Sequence, residues 1–221
     1  MTTHLITGVG RGIGLALARN LLDRGDRVIG SVRQGGPPLA HDRFRCLDFD
    51  VKDGDALARA ARAIDEPIDV LVLNAGMMGP ASRSTLDADP DAFVEVLAVN
   101  AVAPLRVTQA FLPHLRRRGR GRIVAISSQL GGMTYPGSDR IAYRASKSAL
   151  NKTMQGLAED LRSEGIAVLV VHPGWVRTEM GGPNAELEPA ESAAGLARLI
   201  DDLRLETTGR FLDWNGKPRA W

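Results

Sequence analysis

Tyr143-Arg144-Ala145-Ser146-Lys147 is the stretch whose residue types and spacing speak most directly of chemistry. On a helix, Tyr143 and Lys147 stand four residues apart and share one face. A free phenol ionises near roughly pH 10. An ammonium about 4 Å away contributes roughly 4 kcal/mol at an effective dielectric near 20, enough to bring that phenol down toward roughly pH 7. Such a Tyr is a proton donor or acceptor usable near neutrality. Upstream, Ser127-Ser128 closes an apolar, strand-like run and offers a hydroxyl to the group the phenol serves. A Tyr and a Lys at this spacing also recur by chance, so the pair has meaning only if the rest of a site accompanies it.

A second constellation lies near the N-terminus. Residues 3–7 read as a short buried strand, followed by Gly8, Gly10, Gly12 and Gly14 and then a helical run ending near Gly25. Strand, glycine turn and helix N-terminus together let backbone N–H groups and the helix dipole meet a pyrophosphate. The spacing, Thr7-Gly8-x-x-x-Gly12-x-Gly14, departs from the GxGxxG fingerprint, and an ordinary glycine-rich turn is the alternative. The next strand, 27–32, ends in Ser31, Val32 and Arg33. An acidic residue at that place holds the ribose 2′-hydroxyl of NAD; here there is none. Arg33, helped by Arg11, could instead receive a 2′-phosphate through charge-assisted hydrogen bonds, which favours NADP.

The elements that must position these groups alternate along the chain. Further strands are expected at 43–48, 68–73, 122–127, 167–171 and 210–212, with helices over 53–64, 142–163 and 190–203. The run 89–118 has a helical period interrupted by Pro104 and Pro113, so two helices are expected to meet near Asn100. Strands apolar on both faces, alternating with helices, predict an α/β fold. It is a single doubly wound, Rossmann-like parallel sheet with helices on both faces, one domain over residues 1–221. Ligands then bind outside the carboxyl ends of the strands. Gly8–Gly14, Asn74–Gly76, Ser127–Ser128 and Pro173–Gly174 all fall at such ends and should converge on one crevice.

Composition excludes several other classes. The 221 residues suffice for one core, and a net charge of +2 gives no general attraction to nucleic acid or membrane surface. No apolar run is expected to span a bilayer. Met1-Thr2-Thr3-His4 enters a strand at once, leaving no room for a signal peptide, so the cytoplasm is the expected compartment. Cys46 stands alone, excluding an intrachain disulfide, and His4, His41, His114 and His172 lack ligand spacing, so no metal is expected. Arg116, Arg117, Arg118, Arg120 and Arg122 read as a solvated helix end favoured by the dipole, not a nucleic-acid patch.

In this order, Thr7-Gly8-x-x-x-Gly12-Ile13-Gly14, Asn74-Ala75-Gly76, Asn100, Ile126-Ser127-Ser128, Tyr143-x-x-x-Lys147 and Pro173-Gly174 resemble the short-chain dehydrogenase/reductase family along nearly the whole chain. The short length and the Gly209-Arg210-Phe211 to Trp221 ending resemble its small carbonyl-reductase branch, which includes the C-factor and sniffer proteins. The resemblance implies hydride transfer between a nicotinamide and a carbonyl or alcohol carbon. Tyr143 would serve as general acid or base, and Ser128, three before Gly131, would hold the substrate oxygen. Lys147 would lower the phenol's pKa and bind the nicotinamide ribose, while Asn100 would hold a relay water. For NADP(H), it implies Gly8, Arg11, Gly12, Ile13 and Gly14 around the pyrophosphate and adenosine ribose, and Arg33 at the 2′-phosphate. Asp50 and Val51 would flank the adenine, Asn74 and Gly76 a sugar, and Val176 and Thr178 the carboxamide.

Substrate contacts fall on two loops, 131–141 and 175–188. Met133, Tyr135, Trp175 and Met180 there either form an apolar, partly aromatic pocket around a small carbonyl or alcohol, or pack their own loops. The segment between Ser128 and Tyr143 is short, without the long insertion that keeps some carbonyl reductases monomeric, and a homodimer or homotetramer is expected. The alternative function is a signalling or interaction protein that binds a dinucleotide and keeps the fold with little turnover.

Overall fold

Short apolar runs become strands here because both of their faces meet helices. The computed structural model describes residues 1–134 and 136–221. The strands are β1 (Thr3–Thr7), β2 (Arg27–Val32), β3 (Phe44–Asp48), β4 (Val70–Leu73), β5 (Arg122–Ile126), β6 (Ala167–His172) and β7 (Arg210–Asp213). They pair in the order β3-β2-β1-β4-β5-β6-β7, every pairing parallel. The helices are α1 (Gly12–Asp23), α2 (Gly54–Arg62), α3 (Pro90–Leu97), α4 (Ala103–Arg116), α5 (Ile141–Asp160) and α6 (Pro189–Asp202).

Alternate residues of each central strand feed two separate apolar layers, as a side-chain period of two requires. Leu5, Leu71, Leu73, Ile123, Val168 and Val170 pack with Leu57 of α2, Phe111 of α4 and Met154 of α5. Ile6, Val70, Val72, Val124, Leu169 and Val171 pack on the other face with Leu17 and Leu21 of α1 and Leu196 and Ile200 of α6. Fully burying one such side chain stabilises the fold by about 1.5–3 kcal/mol.

The order reverses at β1, whose neighbours β2 and β4 begin the two halves of the sheet. The crevice at the carboxyl ends of β1 and β4 is therefore where a ligand enters.

The run 89–118 differs from expectation. It is one helical run: α3 passes through a π turn, Ala98–Val102, into α4, and Pro113 stays inside α4. Pro104 supplies no N–H, and the wide turn just before it holds Ala103 N–H on Ala98 O. Val107, Phe111 and Leu115, almost wholly buried, keep the helix straight enough to pass Pro113. The run Pro90–Arg116 is also, by length and composition alone, apolar enough to cross a membrane, which corrects the reading of the sequence on that point; its inner residues Val107, Phe111 and Leu115 pack in the core.

The arginines at the end of α4 are exposed, as expected of a solvated helix end, and several of them are also paired. Arg116 grips Glu164 through two bonds of 2.6 and 2.7 Å, Arg117 donates to Asp65 O at 2.8 Å, and Arg118 meets Asp69 at 2.9 Å. Arg122 donates to Ile200 O at 2.9 Å. They clamp loops to the amino ends of the strands, opposite the crevice.

Candidate active site

The glycine turn is shaped by what lies beneath it. Gly8 and Gly12 have φ of 74° and 59°, left-handed conformations that favour glycine. A Cβ on Gly14 would lie 2.3 Å from Gly8 O and 2.4 Å from Asn74 Nδ2, so that position admits no side chain. The Asn74 amide donates to Thr7 O and Gly8 O at 2.9 and 3.0 Å, and Thr7 Oγ1 accepts from Asn74 N and Ala75 N at 3.0 and 3.1 Å. Asn74 therefore acts first as a strut joining the ends of β1 and β4. Arg11 precedes α1 without capping it, Gly12 to Gly14 form its first turn, and that turn carries no acidic residue. The positive end of the helix and its unpaired N–H groups fit an anion such as a pyrophosphate. Ile13 sits half-buried in the same turn.

The two candidate phosphate cations have different fates. Arg11 forms an ion pair with Glu179 in the loop after β6. Arg33, exposed beyond β2, has no carboxylate partner among the described residues. Asp50 Oδ1 accepts from Lys52 N at 2.9 Å, and Val51 packs half-buried against the core, so both shape the turn after β3. The β6 loop folds over the glycine turn: a Cβ on Gly12 would sit 3.4 Å from Cγ2 of Thr178. Val176 beneath it is buried, and its carbonyl accepts from Thr178 N at 2.8 Å.

Asn100, Ser128, Tyr143 and Lys147, distant in sequence, come together; all four are buried, at 0%, 8%, 7% and 5% exposure. Lys147 Nζ donates to Ile126 O at 2.8 Å and lies 5.7 Å from the centroid of the Tyr143 ring. Asn100, in the π turn, accepts from Met77 N at 2.9 Å and donates to Met77 O and Ser146 Oγ at 2.7 and 3.0 Å. Ser146 Oγ in turn donates to Tyr143 O at 2.7 Å. Exposed Gly76 borders both: a Cβ there would stand 3.2 Å from Asn100 Oδ1 and 3.7 Å from Lys147 Nζ. Of the two serines, Ser127 is turned away, donating to Asn151 Oδ1 at 2.6 Å. Ser128 caps the turn Gln129–Gly131, its Oγ accepting from Leu130 N at 3.1 Å, and its hydroxyl is near enough to the phenol of Tyr143 to pull the phenol's pKa down.

The electrostatics correct one expectation. Burial raises the phenol of Tyr143 above its ordinary range, against smaller downward pulls from the Ser128 hydrogen bond and the charge of Arg140. Burial also lowers Lys147 to about 8. The ammonium meant to depress the phenol is itself desolvated and committed to a carbonyl, so the strong lowering expected from the four-residue spacing does not arise within the protein alone. At neutral pH the phenol keeps its proton.

The substrate side is open. Met133, Trp175 and Met180 are 82%, 50% and 46% exposed, and the Trp175 indole N–H staples its own loop by donating to Gly181 O at 2.8 Å. Tyr135 lies outside the described residues. Reading the sequence missed three features here. Ser146, the residue before Lys147, joins Asn100 to the backbone of Tyr143. Asn151 holds Ser127, and its position four residues beyond Lys147 was the available signal. The third is the end of the chain: Trp221 stacks on Phe211 at 5.4 Å, and its carbonyl accepts from Met133 N at 3.2 Å, just past the Ser128 turn.

The family model described as short chain dehydrogenase matches residues 2–188. The chain is 39% identical over 165 residues to the protein named C-signal of Myxococcus xanthus, covering 74% of this chain and 99% of that one. Its structure superimposes on the carbonyl reductase Sniffer of D. melanogaster with a TM-score of 0.95 and 31% identity, covering 100% of both chains. The NADPH-bound carbonyl reductase from chicken fatty liver gives a TM-score of 0.90 and 29% identity, covering 100% of this chain and 99% of that one.

Proposed function

This chain belongs to the short-chain dehydrogenase family, and we propose that within it the protein is an NADPH-dependent reductase of aldehyde or ketone carbonyls. The observation behind the reading is the buried meeting of Ser128, Tyr143 and Lys147 beside a glycine cradle whose nearby cation, Arg33, lacks a carboxylate partner among the described residues. The solved relatives named carbonyl reductase, one with NADPH bound, support the same class.

The cradle fits the cofactor. Gly8, Gly12 and Gly14 leave the backbone bare where a pyrophosphate would lie against the N-terminus of α1, and Arg33 would hold a 2′-phosphate. When bound, NADPH supplies the hydride that reduces the carbonyl carbon. The protein's own groups act on the oxygen. Ser128 donates a hydrogen bond that holds it, and Tyr143, kept protonated by burial, delivers the proton. Lys147, with a pKa of about 8, stands over the phenol ring as the next ionisable group, and Asn100 borders it across Gly76.

The test follows NADPH oxidation at the nicotinamide absorbance against a panel of aldehydes, diketones and quinones, with NADH and Tyr143→Phe in parallel. Turnover with NADPH, weaker with NADH and reduced roughly 100-fold or more in the variant, is expected. A variant that turns over at the wild-type rate would refute the proton-transfer role.

A second reading is favoured by the likeness to the protein named C-signal: a dinucleotide-binding signalling or interaction protein. It predicts tight NADPH binding with no turnover anywhere on the panel. With either reading we include self-association as a homodimer or homotetramer, through the helical run that exposes Val94 and Val102.

A further inference from the structure

One side of α5 presents a buried polar residue at every fourth position from the phenol onward: Tyr143, Lys147 and Asn151. The first two face the reacting groups. Asn151, 4% exposed, reaches instead to the turn that bears Ser128. Its Oδ1 accepts from Ser127 Oγ at 2.6 Å, and its Nδ2 donates to Gly131 O at 3.3 Å. Ser148 Oγ donates to the same Gly131 carbonyl at 2.9 Å. Gly131 is pressed so close to α5 that a Cβ there would lie 2.7 Å from the carbonyl carbon of Lys147. The amide of Asn151 thus grips the chain immediately before Ser128 and three residues after it.

From this we propose that Asn151 is a positioning residue for the Ser128 hydroxyl, a proposal that rests on Ser128 acting on the substrate oxygen. The rationale is geometric. Tyr143, which delivers the proton, and Ser128, which holds the oxygen, lie on different elements, and their separation must be kept to within a fraction of an ångström. A misplacement of about 1 Å can cost roughly 100-fold in rate. An amide suits the task because it serves a buried hydroxyl and a buried carbonyl at once; an apolar side chain would leave the Ser127 hydroxyl unpaired and the Gly131 carbonyl to Ser148 alone. Since α5 carries Tyr143, Lys147 and Asn151, one rigid helix sets the phenol, the ammonium and the serine turn in a common frame.

The experiment compares wild type, Asn151→Ala, Ser128→Ala and the double variant on the best-reduced carbonyl of the panel, at enzyme concentrations that keep residual turnover measurable. NADPH affinity is measured by fluorescence titration and folding by thermal melts. Asn151→Ala is expected to lower kcat about tenfold or more, with NADPH affinity unchanged. In the Ser128→Ala background the same substitution should cause no further fall, because it acts through Ser128. A loss of equal size in both backgrounds, a wild-type kcat, or weakened NADPH binding would overturn the proposal. Should Ser128→Ala itself be fully active, the underlying reading of Ser128 fails, an outcome separate from a neutral Asn151→Ala. Ser148→Ala, which removes the other donor to Gly131 O, covers the case of an unstable Asn151→Ala. It should give a smaller fall in kcat that again vanishes without Ser128, and an additive loss counts against the proposal.

Discussion

At the scale of single residues, desolvation governs the site more than pairwise charge. Tyr143 is raised by burial and Lys147 brought down to about 8 by the same cause, so both tend toward neutrality. That state suits reduction, where a protonated phenol is wanted. Arg33 is the opposite case, an exposed cation whose worth depends on a ligand. Hydrogen bonds to charged groups contribute about 1.5–3 kcal/mol, so Arg33→Ala should weaken NADPH binding by roughly 10- to 100-fold. NADH, which lacks the 2′-phosphate, should bind the variant as it binds the wild type. Parallel titrations with the two cofactors check this, and an equal loss for both would move the 2′-phosphate site elsewhere.

At the scale of elements, the helical run from α3 through the π turn to α4 does two jobs. Its inner face carries Val107, Phe111 and Leu115 into the core, and its π turn presents Asn100 to Met77 and Ser146. π turns inside helices recur at functional sites, and this one puts a buried amide beside the end of β4. The outer side of the run exposes Val94 at 65% and Val102 at 43%. If it is the self-association surface, Val94→Glu should shift the mass seen by light scattering from the oligomer to the single chain. An unchanged mass would place the contact on another face.

At the scale of the whole molecule, the parallel sheet has the contacts of Arg116, Arg117 and Arg118 at its amino end and gathers the glycine turn, Ser128, Tyr143 and Lys147 at its carboxyl end. Two buried histidines couple its stability to pH. His4 and His172 are each lowered from 6.5 to about 4, first by burial. The unfolded chain binds those protons more readily, so the stabilisation is complete above about pH 6.5 and is lost as pH falls toward 4. Stability by urea denaturation should therefore drop by a few kcal/mol in total between pH 7 and pH 5. A flat profile across that window would mean both imidazoles protonate inside the fold at little cost.

The local signals were enough for the architecture. Apolar runs alternating with helical periods can bury both strand faces only in a parallel sheet between helix layers, and the glycines, Tyr143 and Lys147 are set by local geometry. Of the two serines, Ser127 is held by Asn151, a contact between distant segments that spacing alone does not state. What the sequence by itself could not decide depends on contacts between distant segments. The continuity of the helix through Pro113 follows from burial of its neighbours against the sheet. Asn74 acts as a strut because β4 lies beside β1, and Arg11 pairs with Glu179 because the β6 loop crosses the glycine turn. The protonation states of Tyr143 and Lys147 belong to the same class. Spacing along a helix states how near two groups are, but only the folded surroundings remove the water that sets their charge.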